Sequence, residues 1–302
     1  MRIAWEYLWK FKGGKGMRTK ILYPSDYFNI KSIEVDYESE YKVACSMPEF
    51  DIILYSYDEF ISCGVFKSYP KEFHGGLCIY RGWMLKPDKY KELYEELKSR
   101  GVTLINDVHE YENCHLFPNS YEDIKYFTPK TRWYEDYNQI DWNSINDEFK
   151  SFMIKDYVKS VKGTSFSSCF VTPVEKETMK GYIDEFIKLR GTLFTNGIVI
   201  KEFVDFKKYG EVTNEYRAFY MKRKLVTVSK NSNQSDDCPF VPIEFAEKFT
   251  GLKSNFYTVD FAELDNGKWI IIEVGDGQVS RISPNQYIFK FYDEIRAIIY
   301  QE

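Results

Sequence analysis

The chain has 302 residues, 18 % of them aromatic and 29 % charged, with a formal net charge of −5. That length buries a large core and carries two or three domains or subdomains, and the mildly acidic balance supplies no general pull toward nucleic acid or an anionic membrane surface. Six cysteines without CxxC spacing and three histidines argue against a zinc-type site. No run approaches the roughly 20 apolar residues of a membrane span. A cytoplasmic protein with reduced thiols is the expectation.

Residues 1–16, with Gly13, Gly14 and Gly16 before Met17, read as an N-terminal arm or extension and stay outside the expected fold. They lack the small-residue cleavage site of a secretory signal. Short apolar runs at 20–24, 50–57, 76–85 and 102–106 predict strands. Between the last two, Pro87 stands in a first-turn position, Tyr90, Leu93, Tyr94 and Leu97 share a face, and Gly101 provides a stop, which predicts a helix. Strand, helix, strand in this order predicts a small α/β domain with parallel pairing over residues 17–125. Residues 110–150, rich in Asn, Pro, Tyr and Asp and without sustained periodicity, predict a connecting region. Longer strands at 152–160, 197–206, 215–230 and 257–274, two of them hairpin-like, predict a largely antiparallel sheet. Helical patterns at 174–190 and 284–300 would cover it, giving an α+β module.

The stretch "DFAELDNGKWIIIEVGD", residues 260–276, places acids in an apolar hairpin. Asn266-Gly267 predicts a type I′ turn, in which both central residues take positive φ. With Asp265 opposite Lys268, the pairs run Leu264 with Trp269, Ala262 with Ile271, Phe261 with Ile272 and Asp260 with Glu273. Opposed carboxylates with Cβ atoms roughly 5 Å apart repel unless a cation joins them. Such a pair suits a hard divalent cation, and oxygen-only Mg²⁺ sites usually serve a bound phosphate.

Candidate phosphate ligands follow in three stretches. In "KDYVKSVKG", Lys155 and Lys159 share a strand face and Lys162 and Gly163 follow; their ammonium groups either grip polyphosphate or line a solvated face. In "IVIKEFVDF", a strand leaving its sheet can offer backbone groups to an adenine edge, with Glu202 or Asp205 accepting from amine or ribose hydroxyl groups. The alternative is a Lys201–Glu202 ion pair on a wet face. In "NEYRAFY", Arg217 shares a face with Glu215 and is either a fork for phosphate or a substrate carboxylate, or one half of a cross-strand ion pair.

In order and spacing, "TPKTRW", "FMIKDYVKSVKG", "GIVIKEFVDF", "EYRAFYMKRKLVTVSK" and "TVDFAELDNGKWIIIEVGDGQ" resemble the ATP-grasp superfamily over residues 126–302. They look closest to a divergent bacterial and phage branch related to the eukaryotic cell-division-cycle protein that assists initiation-factor assembly. The resemblance implies a small α/β pre-grasp domain followed by a two-subdomain ATP-grasp fold with antiparallel sheets, clamping ATP and Mg²⁺. Carried onto this chain, Lys155 would bind α/β-phosphate oxygens, with Lys159, Lys162 and Lys130 assisting. Glu202, Phe203, Val204 and Asp205 would face the nucleoside, and Arg217 the γ-phosphate or an acyl phosphate. Asp260 and Glu273 would hold Mg²⁺. Many family members carry Asn as a further ligand after the second acid; here Gly275 and Asp276 follow, and Asp276 is assigned that role. Arg81 and Arg281 would recognise an anionic acceptor or form structural ion pairs. The activity implied is a carboxylate–amine ligase that forms ADP and phosphate, acting on small molecules, a peptide or a protein. The alternative is an ATP-binding assembly factor that clamps a protein partner without covalent chemistry.

Overall fold

The computed structural model describes residues 18–300. They form two compact units, one ending at Asp107 and the other beginning at Val108.

In the first unit, β1 (Thr19–Pro24), β2 (Phe50–Tyr55), β3 (Ser68–Tyr69), β4 (Leu77–Tyr80) and β5 (Thr103–Leu104) form one sheet in the order β3-β2-β1-β4-β5. All of its pairings are parallel except β2 with the edge strand β3. Every residue of β1 is buried, as a central parallel strand covered on both faces requires. Three helices accompany the sheet, α1 (Glu38–Cys45), α2 (Tyr57–Cys63) and α3 (Pro87–Ser99). In α3, Pro87 occupies the first turn, Tyr90, Leu93 and Leu97 are buried, and Gly101 follows at φ +69°.

The second unit begins in the region expected to be a connection. There the chain forms α4 (Val108–His115), α5 (Phe117–Ile124), β6 (Thr131–Tyr134) and α6 (Trp142–Glu148). Elements this short leave little periodicity to read. With β7 (Ser151–Asp156), β8 (Phe170–Val171) and β9 (Ile198–Glu202), β6 builds an antiparallel sheet in the order β6-β9-β7-β8. Alternation along its strands puts Phe152, Ile154, Ile198 and Ile200 in one core with Met179, Ile183 and Phe186 of α7 (Lys176–Arg190). The strand predicted at 152–160 stops at Asp156, whose Oδ1 accepts the N–H groups of Val158 and Lys159 at 2.7 and 2.6 Å and turns the chain.

After the small hairpin of β10 (Lys208–Tyr209) and β11 (Val212–Thr213) comes a second antiparallel sheet. Its strands are β12 (Glu215–Met221), β13 (Lys224–Lys230), β14 (Phe256–Glu263) and β15 (Trp269–Asp276), in the order β13-β12-β14-β15. One face packs Tyr216, Ala218, Tyr220, Tyr257, Val259 and Val274 against Cys114, Phe117 and Ile124 of α4 and α5 and Ala246 of α8 (Ile243–Ala246). On the other face, Phe219 and Phe256 meet Phe291 of α9 (Ile288–Tyr300).

The β14–β15 turn differs from the expected type I′. Of its two residues only Gly267 has positive φ, at +79°, and Leu264 accepts the Gly267 N–H and donates to the Lys268 carbonyl, both at 2.8 Å. A loop closed by a left-handed glycine moves the first pairs by one residue, to Glu263 with Trp269, Ala262 with Ile270 and Phe261 with Ile271. A bulge between Asp260 and Phe261 then takes up Ile272 and restores Asp260 opposite Glu273. Two successive positive φ values occur instead at the β12–β13 turn, Lys222 at 46° and Arg223 at 63°.

Candidate functional site

Asp260 and Glu273 stand opposite each other on the sheet face that carries Arg217, each already held by a cation of the chain. Arg217 grips Asp260 with two hydrogen bonds, Nε to Oδ1 at 2.8 Å and Nη2 to Oδ2 at 2.7 Å, and Asn231 Nδ2 donates to Oδ2 at 3.3 Å. Lys159 Nζ donates to Glu273 Oε1 at 2.8 Å. Burial pushes the Glu273 carboxyl up, but the charges of Lys159 and Lys155, the Lys159 hydrogen bond and Arg217 outweigh it and hold the pKa at about 2. Because Lys159 lies in the turn after Asp156, it reaches Glu273 from a loop and not from the strand face it was expected to share with Lys155.

Three further basic groups crowd the same acid. Lys155 and Lys201 project from one face of the β7–β9 pair, both buried, with Nζ atoms 5.1 and 4.4 Å from the centre of the Phe117 ring. Lys201 Nζ donates to Thr128 Oγ1 at 3.1 Å and to the carbonyl of Ile272, the bulge residue, at 2.8 Å. That bond ties the first sheet of this unit to the bulge that sets the Glu273 register. Burial lowers the pKa of Lys155 and takes Lys201 well below the ordinary lysine value, Glu273 opposing both. His115, stacked on Tyr111 with ring centres 4.6 Å apart, is depressed to about 3 by burial and by Lys159 and is neutral at physiological pH. Lys155, Lys159 and Arg217 around one carboxylate make a positive field, suited to a polyanion. Sequence reasoning assigned Lys201 only to a wet-face pair and missed Phe117, His115 and Thr128. The available signal was the apolar run Ile198-Val199-Ile200 directly before Lys201, which marks a strand covered on both faces, where a lysine is buried.

Other expected residues fall elsewhere. Glu202 ends β9 and accepts the Lys130 N–H at 3.3 Å, while the chain leaves the sheet through Phe203, Val204 and the exposed Asp205. The Lys130 side chain turns away from the lysine cluster to the carbonyl of Glu148, at 3.2 Å, and the Phe149 ring. Lys162 is exposed in the loop after Lys159 and contributes to the positive field at Lys155. Arg281 is exposed, and its carbonyl accepts Arg217 Nη1 at 2.9 Å. Asp276, three residues beyond Glu273 in a regular stretch of β15, projects from the opposite sheet face beside Cys114, where its Oδ1 accepts the Gln278 N–H at 2.9 Å. It is not brought together with Asp260 and Glu273. Among the described residues no group of three or more His, Cys, Asp or Glu side chains is placed to hold a metal ion. The two opposed carboxylates still fit Mg²⁺, which takes oxygen donors and fills its remaining positions from phosphate and water. Arg81 is 1 % exposed, and its guanidinium is committed to Glu40 through Nε and Nη2 at 2.9 and 2.8 Å, the structural ion pair that was its alternative.

Two antiparallel sheets in one unit fit the ATP-grasp fold that the sequence resemblance implies, and comparison with known proteins shows that fold. The ATP-grasp domain, R2K clade family 3, matches residues 141–295, half of the chain, and the chain belongs to that family. Solved structures of similar fold include D-alanyl-alanine synthetase A from Vibrio cholerae, at 13 % identity and a TM-score of 0.58, covering 91 % of this chain and 93 % of that one. The RimK domain ATP-grasp protein of Sphaerobacter thermophilus also has a TM-score of 0.58 at 13 % identity, over 92 % and 98 % of the two chains. The ATP-grasp ligase PsnB, complexed with its minimal precursor, has a TM-score of 0.56 at 8 % identity, over 93 % and 99 %. No curated protein matches the sequence. No described helix is long and apolar enough to cross a membrane.

Proposed function

We propose that this protein is a Mg²⁺-dependent ligase that uses ATP to join a carboxylate to an amine. The observation that carries the reading is the Asp260–Glu273 pair, set opposite by a bulge and ringed by Lys155, Lys159 and Arg217. Lys155 and Lys159 hold the phosphate chain, Lys159 exchanging its Glu273 partner for a phosphate oxygen and Lys162 adding charge from its loop. Glu202 and the backbone of Phe203 and Val204 meet the adenine edge, and Asp205 the ribose. Asp260 and Glu273 would hold Mg²⁺, which would neutralise phosphate charge. The substrate carboxylate oxygen attacks the γ-phosphorus, the bond to the β-phosphate oxygen breaks, and ADP leaves with that electron pair. Arg217 faces the charge that develops on the transferred phosphoryl group. The amine then adds to the acyl carbon, loses a proton, and phosphate departs with the C–O electrons. Arg281 meets the anionic acceptor. The work is positioning and neutralisation, with no protein nucleophile.

Nucleotide product analysis tests this. Purified protein with Mg²⁺-ATP is expected to release ADP and phosphate only when a pool of amino acids, peptides or host lysate is added, and Glu273→Gln is expected to lose that turnover. ATP bound tightly with no ADP under any condition would instead support the assembly-factor reading. Unchanged turnover in Glu273→Gln would overturn the assignment of the acids.

A further inference from the structure

β13 is the outer strand of its sheet, with β12 its one partner among the described residues. The Asn231 N–H donates to the Glu215 carbonyl at 2.9 Å, which makes 217/229 and 219/227 the bonded pairs and turns the N–H and C=O of Val228 and Lys230 outward. Ser283 Oγ donates to the Lys230 carbonyl, so the row of outward groups is open toward Val228 and closed at its far end. A cavity of about 460 Å³ runs beside this edge, lined by Val228, Lys230, Phe240, Tyr287 and Lys290, with Asp236 at its rim paired to Lys230. Phe240 and Tyr287 are 50 % and 71 % exposed.

The charge of the strand is distinctive. In a chain of net charge −5, residues 222–230 carry Lys222, Arg223, Lys224 and Lys230 and no acid. Lys222 and Arg223 hold left-handed backbone conformations where Asn-Gly would be relaxed, so conformational energy is given up to keep two long cations at the start of the strand. Lysines on an edge prevent a second copy of the same edge from pairing with it. Those charges admit an acidic strand. The edge also leads to the reacting groups: Ser229 is the register partner of Arg217, and Asn231, just past β13, donates to Asp260 at 3.3 Å.

We infer that the edge of β13 docks an acidic segment of a polypeptide substrate as an added strand, with Lys290 pairing one of its carboxylates, Lys230 exchanging Asp236 for another, and Phe240 and Tyr287 flanking it. The segment is a handhold that ends at Lys230, where Ser283 closes the row, and the reacting carboxylate is carried by substrate chain beyond the docked strand. The chemistry after docking rests on the ligase reading, though docking itself needs no nucleotide.

Fluorescence polarisation of a labelled peptide of alternating glutamate and valine, titrated with the full chain, tests the dock. Salt-sensitive binding is expected, weakened about tenfold when alternate peptide amides are N-methylated, and by a similar factor in Val228→Pro, since each change removes backbone hydrogen bonds from the added strand. Lys290→Glu is expected to weaken binding about fivefold, and a lysine–valine peptide to bind far more weakly than the acidic one. The inference is overturned if the acidic peptide does not bind, if N-methylation leaves its affinity unchanged, or if Lys290→Glu binds it as tightly as the native chain. Mg²⁺-ATP titration of the same samples reads the ligase proposal separately: the variants are expected to keep nucleotide affinity, and peptide capture by a native chain that binds no nucleotide would sink the ligase reading alone.

Discussion

From the hairpin alone, Glu273→Gln removes one of two opposed carboxylates and relieves repulsion. Arg217 on Asp260 and Lys159 on Glu273 reverse that sign, because the acid now offsets buried cations. Glu273 has a folded pKa of about 2 against an ordinary 4.5, so the folded state is the weaker proton binder. Its stabilisation is complete above the unfolded value and drains as pH falls from 4.5 toward 2. Glu273→Gln is therefore expected to cost on the order of 3 kcal/mol in urea unfolding at neutral pH, with the gap to the native chain narrowing toward pH 2. A variant as stable as the native chain at neutral pH would show that the lysines are solvated and not balanced by this acid. His115 acts in a different window. Its folded pKa, about 3, lies below the ordinary 6.5, so the folded state resists protonation and loses stability as pH falls through that interval; Glu273 opposes that depression, so the loss is larger in Glu273→Gln than in the native chain.

At the scale of elements, the strands and the long helices were legible because their periodicity is strong, as in α3 and in the face shared by Asp260, Arg217 and Phe219. The hairpin register was legible at its functional end and wrong at its turn, since a two-residue loop and a glycine-closed loop with a bulge both bring Asp260 opposite Glu273. Asn-Gly signals a turn but does not by itself choose between them. The left-handed pair Lys222-Arg223 carried no such signal, because the residues that would announce it are absent. That mismatch between residue type and backbone is measurable. The double substitution K222N/R223G is expected to raise stability by about 1 kcal/mol, read as a higher urea midpoint at unchanged slope. No gain would mean that the turn's long side chains offset its strain through contacts of their own.

The antiparallel pairing of the second unit and the opposed acids of its last hairpin followed from strand pattern and turn, and its division into two sheets from the family resemblance, whereas the burial of Lys201 and the start of that unit did not. The sequence placed the division after residue 125, because α4 and α5 are short and lie in a stretch without periodicity. In the structure Cys114, Phe117 and Ile124 are at most 1 % exposed and belong to the same core as Tyr216, Tyr257 and Val259. Phe117 also lies beneath both Lys155 and Lys201. Truncating one buried Phe costs about 3 to 5 kcal/mol and one buried Ile about 2 to 5, against a total domain stability of roughly 5 to 15 kcal/mol. Removing α4 and α5 together therefore takes away most or all of the margin. A fragment of residues 108–302 is expected to unfold cooperatively and to show the near-ultraviolet circular dichroism of packed aromatic rings, while a fragment of 126–302 is expected to lack both. Cooperative unfolding of the shorter fragment would mean that the two antiparallel sheets and their remaining helices hold a core without this cap, and that the lysine cluster does not depend on Phe117 for its shape.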